Sequence, residues 1–87
     1  MRVIRRRYSL ALMNAIRLHQ PARFGQLSTA LPQASTSTLA ETLAALETAQ
    51  LVAHHIAEAA PTSTYSLTAS GEKLLSRLRR LLDDIHE

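Results

Sequence analysis

Apolar residues recur at helical spacing through the first half of the chain. Tyr8, Leu12 and Ile16 fall at i, i+4 and i+8, which lines one face of a helix. The pattern predicts a first helix over about Ile4 to Leu18. Pro21 closes it, because the residue before a proline avoids helical backbone angles. Phe24, Leu27 and Leu31 make the stripe of a short second helix that Pro32 stops. Ser35 is suited to cap a third helix, its hydroxyl taking an orphan backbone N–H. That helix runs to about Ala49 with Leu39, Leu43 and Leu46 inward and Thr36, Ser37, Glu41 and Thr42 on or near the other side.

The period then shortens. Leu51 to Ala57 and Thr62 to Leu67 suit two strands, with Val52, Ile56, Tyr65 and Leu67 as strand-favouring residues. Ala59, Ala60 and Pro61 between them read as a hairpin turn. Thr68 is placed to cap a final helix from about Ala69 to His86, with Gly71 in its first turn, where glycine costs least. The predicted fold class is therefore mainly α with a small β-hairpin: a winged helix–turn–helix in a single domain, residues 1–87.

Composition narrows what such a domain can do. The chain has 87 residues and no cysteine, which excludes disulfides, thiolate catalysis and cysteine-based zinc sites. Gly-rich phosphate loops and nucleophile–base pairs are absent from the sequence, so an enzyme is not expected and no cofactor is implied. Asp83, His86 and Glu87 share one helical face, but at the chain end they read as a solvated charged face, and no metal site is expected. His54 and His55 alternate across a strand and would not chelate together. No apolar run is long enough to span a bilayer and no cleavable leader is evident, which points to a cytoplasmic protein without a membrane partner.

The net charge is +3, and the basic residues are unevenly spread. Arg2, Arg5, Arg6 and Arg7 crowd the start; Lys73, Arg77, Arg79 and Arg80 crowd the last helix; none falls between Arg23 and Lys73. A helix fits the major groove of double-stranded DNA, and a hairpin can lie on the neighbouring backbone. Ser35, Thr36, Ser37, Thr38, Glu41 and Thr42 are the candidate contacts on the third helix. Hydroxyls bond phosphates or base edges, and a carboxylate accepts from cytosine N4. Arg5, Arg6, Arg7 and Arg23 are candidates for phosphates, with His54, Thr62, Ser63 and Thr64 on the wing. Against each stands a plainer role: helix capping for the hydroxyls, a solvated terminus for the arginine run, a surface ion pair for Arg23. The gap without lysine or arginine favours an alternative, a winged helix used for protein–protein association without sequence-specific DNA binding.

The last helix carries more apolar surface than one protomer needs. Leu74, Leu75, Leu78, Leu81, Leu82 and Ile85 form a broad stripe at mixed spacings of three and four. A homodimer joined through this helix, about residues 69–86, is expected.

Particular runs resemble a known family. Arg23-Phe24-Gly-Gln-Leu27, Leu31-Pro32-Gln-Ala-Ser35, Thr38-Leu39-Ala-Glu-Thr-Leu43-Ala-Ala-Leu46-Glu47, Leu51-Val52 and Pro61-Thr-Ser-Thr-Tyr65-Ser66-Leu67-Thr68-Ala-Ser-Gly71 together resemble the HxlR-type transcriptional regulators. PadR-like and MarR-like winged helices share parts of this pattern. The resemblance implies a DNA-binding homodimer joined through terminal helices, often a repressor of a nearby operon. Two departures are visible. The cysteine those proteins often carry near the start of the first helix, used in redox sensing, is missing. Where they tend to place arginines in the recognition helix and first wing strand, this chain has Ser37, Thr42 and His54.

Overall fold

The computed structural model describes residues 8–56 and 63–85, with side chains as far as Leu81. The elements are α1 (Ser9–His19), α2 (Phe24–Ala30), α3 (Thr36–Thr48), β1 (Val52–Ile56), β2 (Ser63–Leu67) and α4 (Ala69–Ile85). Their order is the predicted one, a helix–turn–helix followed by a wing and a long helix. Residues 4–7 of the expected first helix and the expected Ala59–Pro61 turn lie outside the described residues.

Leu12, Met13 and Ile16 of α1, Leu27 of α2 and Leu39, Leu43 and Leu46 of α3 are almost fully buried in one core. Each such side chain contributes about 1.5–3 kcal/mol by leaving water. The turn between α2 and α3 is drawn into that core. Leu31 and Ala34 are buried, and the Ala34 N–H donates to the Leu31 carbonyl at 3.1 Å. Apolar anchors on both sides of Pro32 thus fix the angle between the two helices.

α3 ends in a tight cap. The Gln50 N–H donates to the Glu47 carbonyl at 2.9 Å and the Leu51 N–H to the Leu46 carbonyl at 2.9 Å. This is the Schellman arrangement, with Gln50 at φ 62° in the left-handed position that glycine usually fills. Leu51 therefore closes α3 instead of opening β1, and it packs against the core.

The wing strands pair antiparallel with Val52 opposite Leu67, His54 opposite Tyr65 and Ile56 opposite Ser63. Val52, Tyr65 and Leu67 are buried. A third rung, missed in the sequence, comes from the segment between α1 and α2. The Ala22 N–H donates to the Tyr65 carbonyl at 2.9 Å, and the Tyr65 N–H to the Ala22 carbonyl at 2.7 Å. Two residues further along, the Leu67 N–H donates to Gln20 Oε1 at 3.0 Å. A side-chain amide here continues the ladder that the backbone abandons.

α4 is joined to this frame at its first turn. Thr68 Oγ1 donates to the Gln50 carbonyl at 2.7 Å and accepts the Gly71 N–H at 3.0 Å. The Thr68 N–H donates to the Leu51 carbonyl at 3.1 Å. Gly71 lies so close to Leu51 that a Cβ there would overlap the Leu51 carbonyl oxygen. The glycine expected to be merely tolerated in a first turn is required by this backbone approach.

Candidate nucleic-acid interface

Four of the expected hydroxyl residues stand at the N-terminal end of α3, and the structure separates them by use. Ser35 caps the helix, accepting the Thr38 N–H at 3.1 Å and donating its own proton to Thr38 Oγ1 at 2.9 Å. Those two hydroxyls are engaged with each other. Thr36 and Ser37 are exposed and have no hydrogen bond to another described side chain. Glu41, one turn on, is also exposed. The outer face of α3 thus presents two uncommitted hydroxyls and a carboxylate.

Thr42 corrects the sequence expectation. It is 1% exposed, and its hydroxyl donates to the Thr38 carbonyl at 2.8 Å. Thr42 falls three residues after Leu39 and four before Leu46, and so on the inward side of the helix. A threonine can occupy a core position because its hydroxyl bonds back to its own helix.

Arg23 is exposed just before α2. Its backbone N–H donates to Gln26 Oε1 at 2.9 Å, so the Gln26 side chain caps the helix and the guanidinium is left to solvent. In the wing, His54 lies flat on Tyr65, with ring centroids 4.4 Å apart and planes 10° from parallel. Its Nδ1 is 3.7 Å from Glu47 Oε1, so His54 links the wing to the end of α3. Burial, and secondarily the Glu47 carboxylate, pushes the Tyr65 phenol pKa up from its ordinary value. Ser63 and Thr64 are half-buried in β2. Arg5, Arg6, Arg7 and Thr62 lie outside the described residues.

The expected dimer stripe divides in the same way. Leu75 is 4% exposed and belongs to the protomer core, which corrects its place in an interface. Leu74 and Leu78 are half-buried, and Leu81 is 57% exposed. The side chains of Leu82 and Ile85 lie outside those described. Among the described residues no helix is long and apolar enough to cross a membrane, and no group of three potential metal ligands converges.

A helix–turn–helix, a strand hairpin after it and a long closing helix define a winged helix–turn–helix protein. Residues 3–87 match the HxlR-like helix-turn-helix family, and the chain belongs to it. That family is one of transcriptional regulators and not of enzymes. The fold is similar to that of the reduced transcriptional regulator YodB from B. subtilis, with a TM-score of 0.84 and 23% identity over 94% of this chain and 80% of that one. It is also similar to a protein assigned to the MarR family of regulators from Porphyromonas gingivalis W83, with a TM-score of 0.84 and 27% identity over 100% of this chain and 85% of that one. A third similar structure is that of S. aureus MepR in complex with DNA, with a TM-score of 0.67 and 22% identity. There the match covers 88% of this chain and 54% of the MepR chain. No curated protein matches the chain.

Proposed function

We propose that the chain is a homodimeric, DNA-binding repressor whose α3 enters the major groove while the wing rests on the flanking backbone. The observation that carries this reading is the division of α3. Leu39, Thr42, Leu43 and Leu46 hold it in the core, while Thr36, Ser37 and Glu41 are exposed, as is Arg23 just before α2. The similarity to a regulator solved with DNA supports it at the level of the fold.

Affinity and specificity then come from different places. α3 has no lysine or arginine, so the phosphate charge falls to Arg23 and to the terminal Arg5, Arg6 and Arg7. Ser37 and Glu41, with Thr36, supply discrimination between bases. Titration of duplex DNA from the upstream region of the protein's own gene, at rising salt, tests this. Affinity is expected to fall steeply with salt, and Arg5→Ala/Arg6→Ala/Arg7→Ala should flatten that slope for all sequences alike. Absence of binding at low salt would sink the proposal and leave the outward face of α3 to protein association.

A further inference from the structure

The wing meets α3 through a side chain whose charge changes with pH. Val52 and Leu67 are buried opposite each other and fix the inner end of the hairpin, while Ile56 at the end of β1 is 73% exposed. Between them the His54 ring lies flat on Tyr65, and its Nδ1 is 3.7 Å from Glu47 Oε1 in the last turn of α3. Among the described residues, His54 is the outermost β1 side chain joined to α3. The angle of the outer wing to α3 is therefore set at this contact.

The strength of the contact depends on a proton. A separation of 3.7 Å is too long for a hydrogen bond, so a neutral imidazole gains little from the carboxylate. An imidazolium gains the attraction of Glu47, the electron-rich face of Tyr65 and the negative end of the α3 dipole. Histidine changes charge between about pH 5 and pH 8. The other titratable groups of the surrounding elements stand apart. β1 packs against β2 and α3. In β2, the Tyr65 phenol is raised above 10.0 by burial and then by Glu47, and stays protonated in that range. In α3 the other carboxylate, Glu41, is exposed six residues before Glu47. His55 points to the opposite face of β1, its Nε2 3.3 Å from Ser66 Oγ. Arg23 follows the Ala22 rung, on the far side of β2 from β1. Glu58, four residues after His54, lies outside the described residues.

We propose that His54 is a positioning residue for DNA binding: protonated, it draws the wing onto Glu47 at the end of α3 and sets both elements for one duplex; neutral, it leaves the outer wing loose. The inference rests on the DNA-binding reading above. A wing already set in place has less freedom to lose on binding, so the chain holds DNA more tightly on the acid side of neutrality. His54 acts here through Glu47 and not by touching phosphate, and that difference is what the variants separate.

Two measurements on the full chain at constant salt, each at about pH 5.5 and about pH 8, test it: affinity for duplex DNA from the upstream region of its own gene, and amide nitrogen relaxation of Ala53, His55 and Thr64 without DNA. The affinity gained on acidification should be about two- to fivefold larger in wild type than in Glu47→Gln, the range for a part-exposed ion pair. The wing of the free chain should become more ordered on acidification in wild type and not in Glu47→Gln. At the higher pH both proteins should share one thermal midpoint, because a neutral ring has little to lose. His54→Gln, which cannot take the proton, should match Glu47→Gln, and if either variant fails to fold the other decides. Glu58→Gln should keep the wild-type pH profile. An acid gain that survives Glu47→Gln would mean that a histidine meets phosphate directly, and overturns the proposal. So do a wild-type wing equally ordered at both pH values, loss of the pH profile in Glu58→Gln, or wing order that follows the proton without any change in affinity. If no duplex is bound at either pH, the DNA-binding reading has failed, and with it the positioning role; relaxation that still follows the proton in wild type and not in Glu47→Gln upholds the wing contact alone.

Discussion

Gly71 and Gly25 show how differently one residue type can be constrained. A Cβ at Gly71 meets the Leu51 carbonyl, whereas one at Gly25 meets nothing within 4 Å. Gly71→Ala should therefore destabilise by about 1–3 kcal/mol, the usual cost of forcing extra volume into a packed contact. Gly25→Ala, on an exposed turn of α2, should stabilise by about 0.4–1 kcal/mol by restricting the unfolded chain. Urea denaturation of both variants should thus give shifts of opposite sign. Tyr65 adds a pH dependence. Burial first and Glu47 second raise its pKa above 10.0, so the folded state holds the phenolic proton more tightly than the unfolded chain does. Its stabilising share is complete below the unfolded pKa of about 10 and is lost as pH rises through the higher folded value. Between pH 9 and pH 11 the loss of stability should be smaller in Tyr65→Phe than in wild type.

At the scale of elements, periodicity made the helices and hairpin legible, because three-to-four spacing and alternation follow directly from burying one face. What stayed hidden depended on contacts between segments distant in sequence. The Ala22 bridge is one residue long and has no alternation to betray it. Gln50 takes the left-handed cap position without being glycine, so nothing in the sequence marks Leu51 as the close of α3 and not the opening of β1. The site was legible in its location and not in its division of labour. Thr42 is as polar as Thr36 in composition, and only its bond back to the Thr38 carbonyl shows why it can turn inward. Two substitutions separate these roles. Thr42→Val leaves no unpaired donor, so stability should change by less than about 1 kcal/mol, with DNA affinity unaltered. Ser37→Ala should leave stability equally intact but change the preference among duplex sequences in competition binding.

On the scale of the whole molecule, α4 serves two surfaces at once. Leu75 closes the protomer core while Leu81 remains 57% exposed. An aspartate at each position should therefore fail differently. Leu75→Asp places a charge among apolar neighbours and should unfold the protomer, seen as a lost thermal transition. Leu81→Asp should keep the circular dichroism of wild type and, if the outer face of α4 is the seam between copies, sediment as a monomer. A folded Leu81→Asp that stays dimeric would move the seam elsewhere.

Thr68 bonds to Gln50 and Leu51 behind it and to Gly71 ahead of it. α4 thereby leaves the end of α3 in one fixed direction, as an arm rigidly set into a bracket. In a dimer built on that arm the two reading heads would be separated by a ruler and not by a tether. Duplex spacing should then be tolerated poorly. Inserting one base pair between half-sites shifts them by about 3.4 Å and turns them by roughly 34°, since about 10.5 pairs complete a turn. A ruler cannot follow that turn, so the lengthened duplex should retain only the affinity of a single half-site. In Thr68→Ala, with the bracket loosened, the penalty for the inserted pair should be smaller.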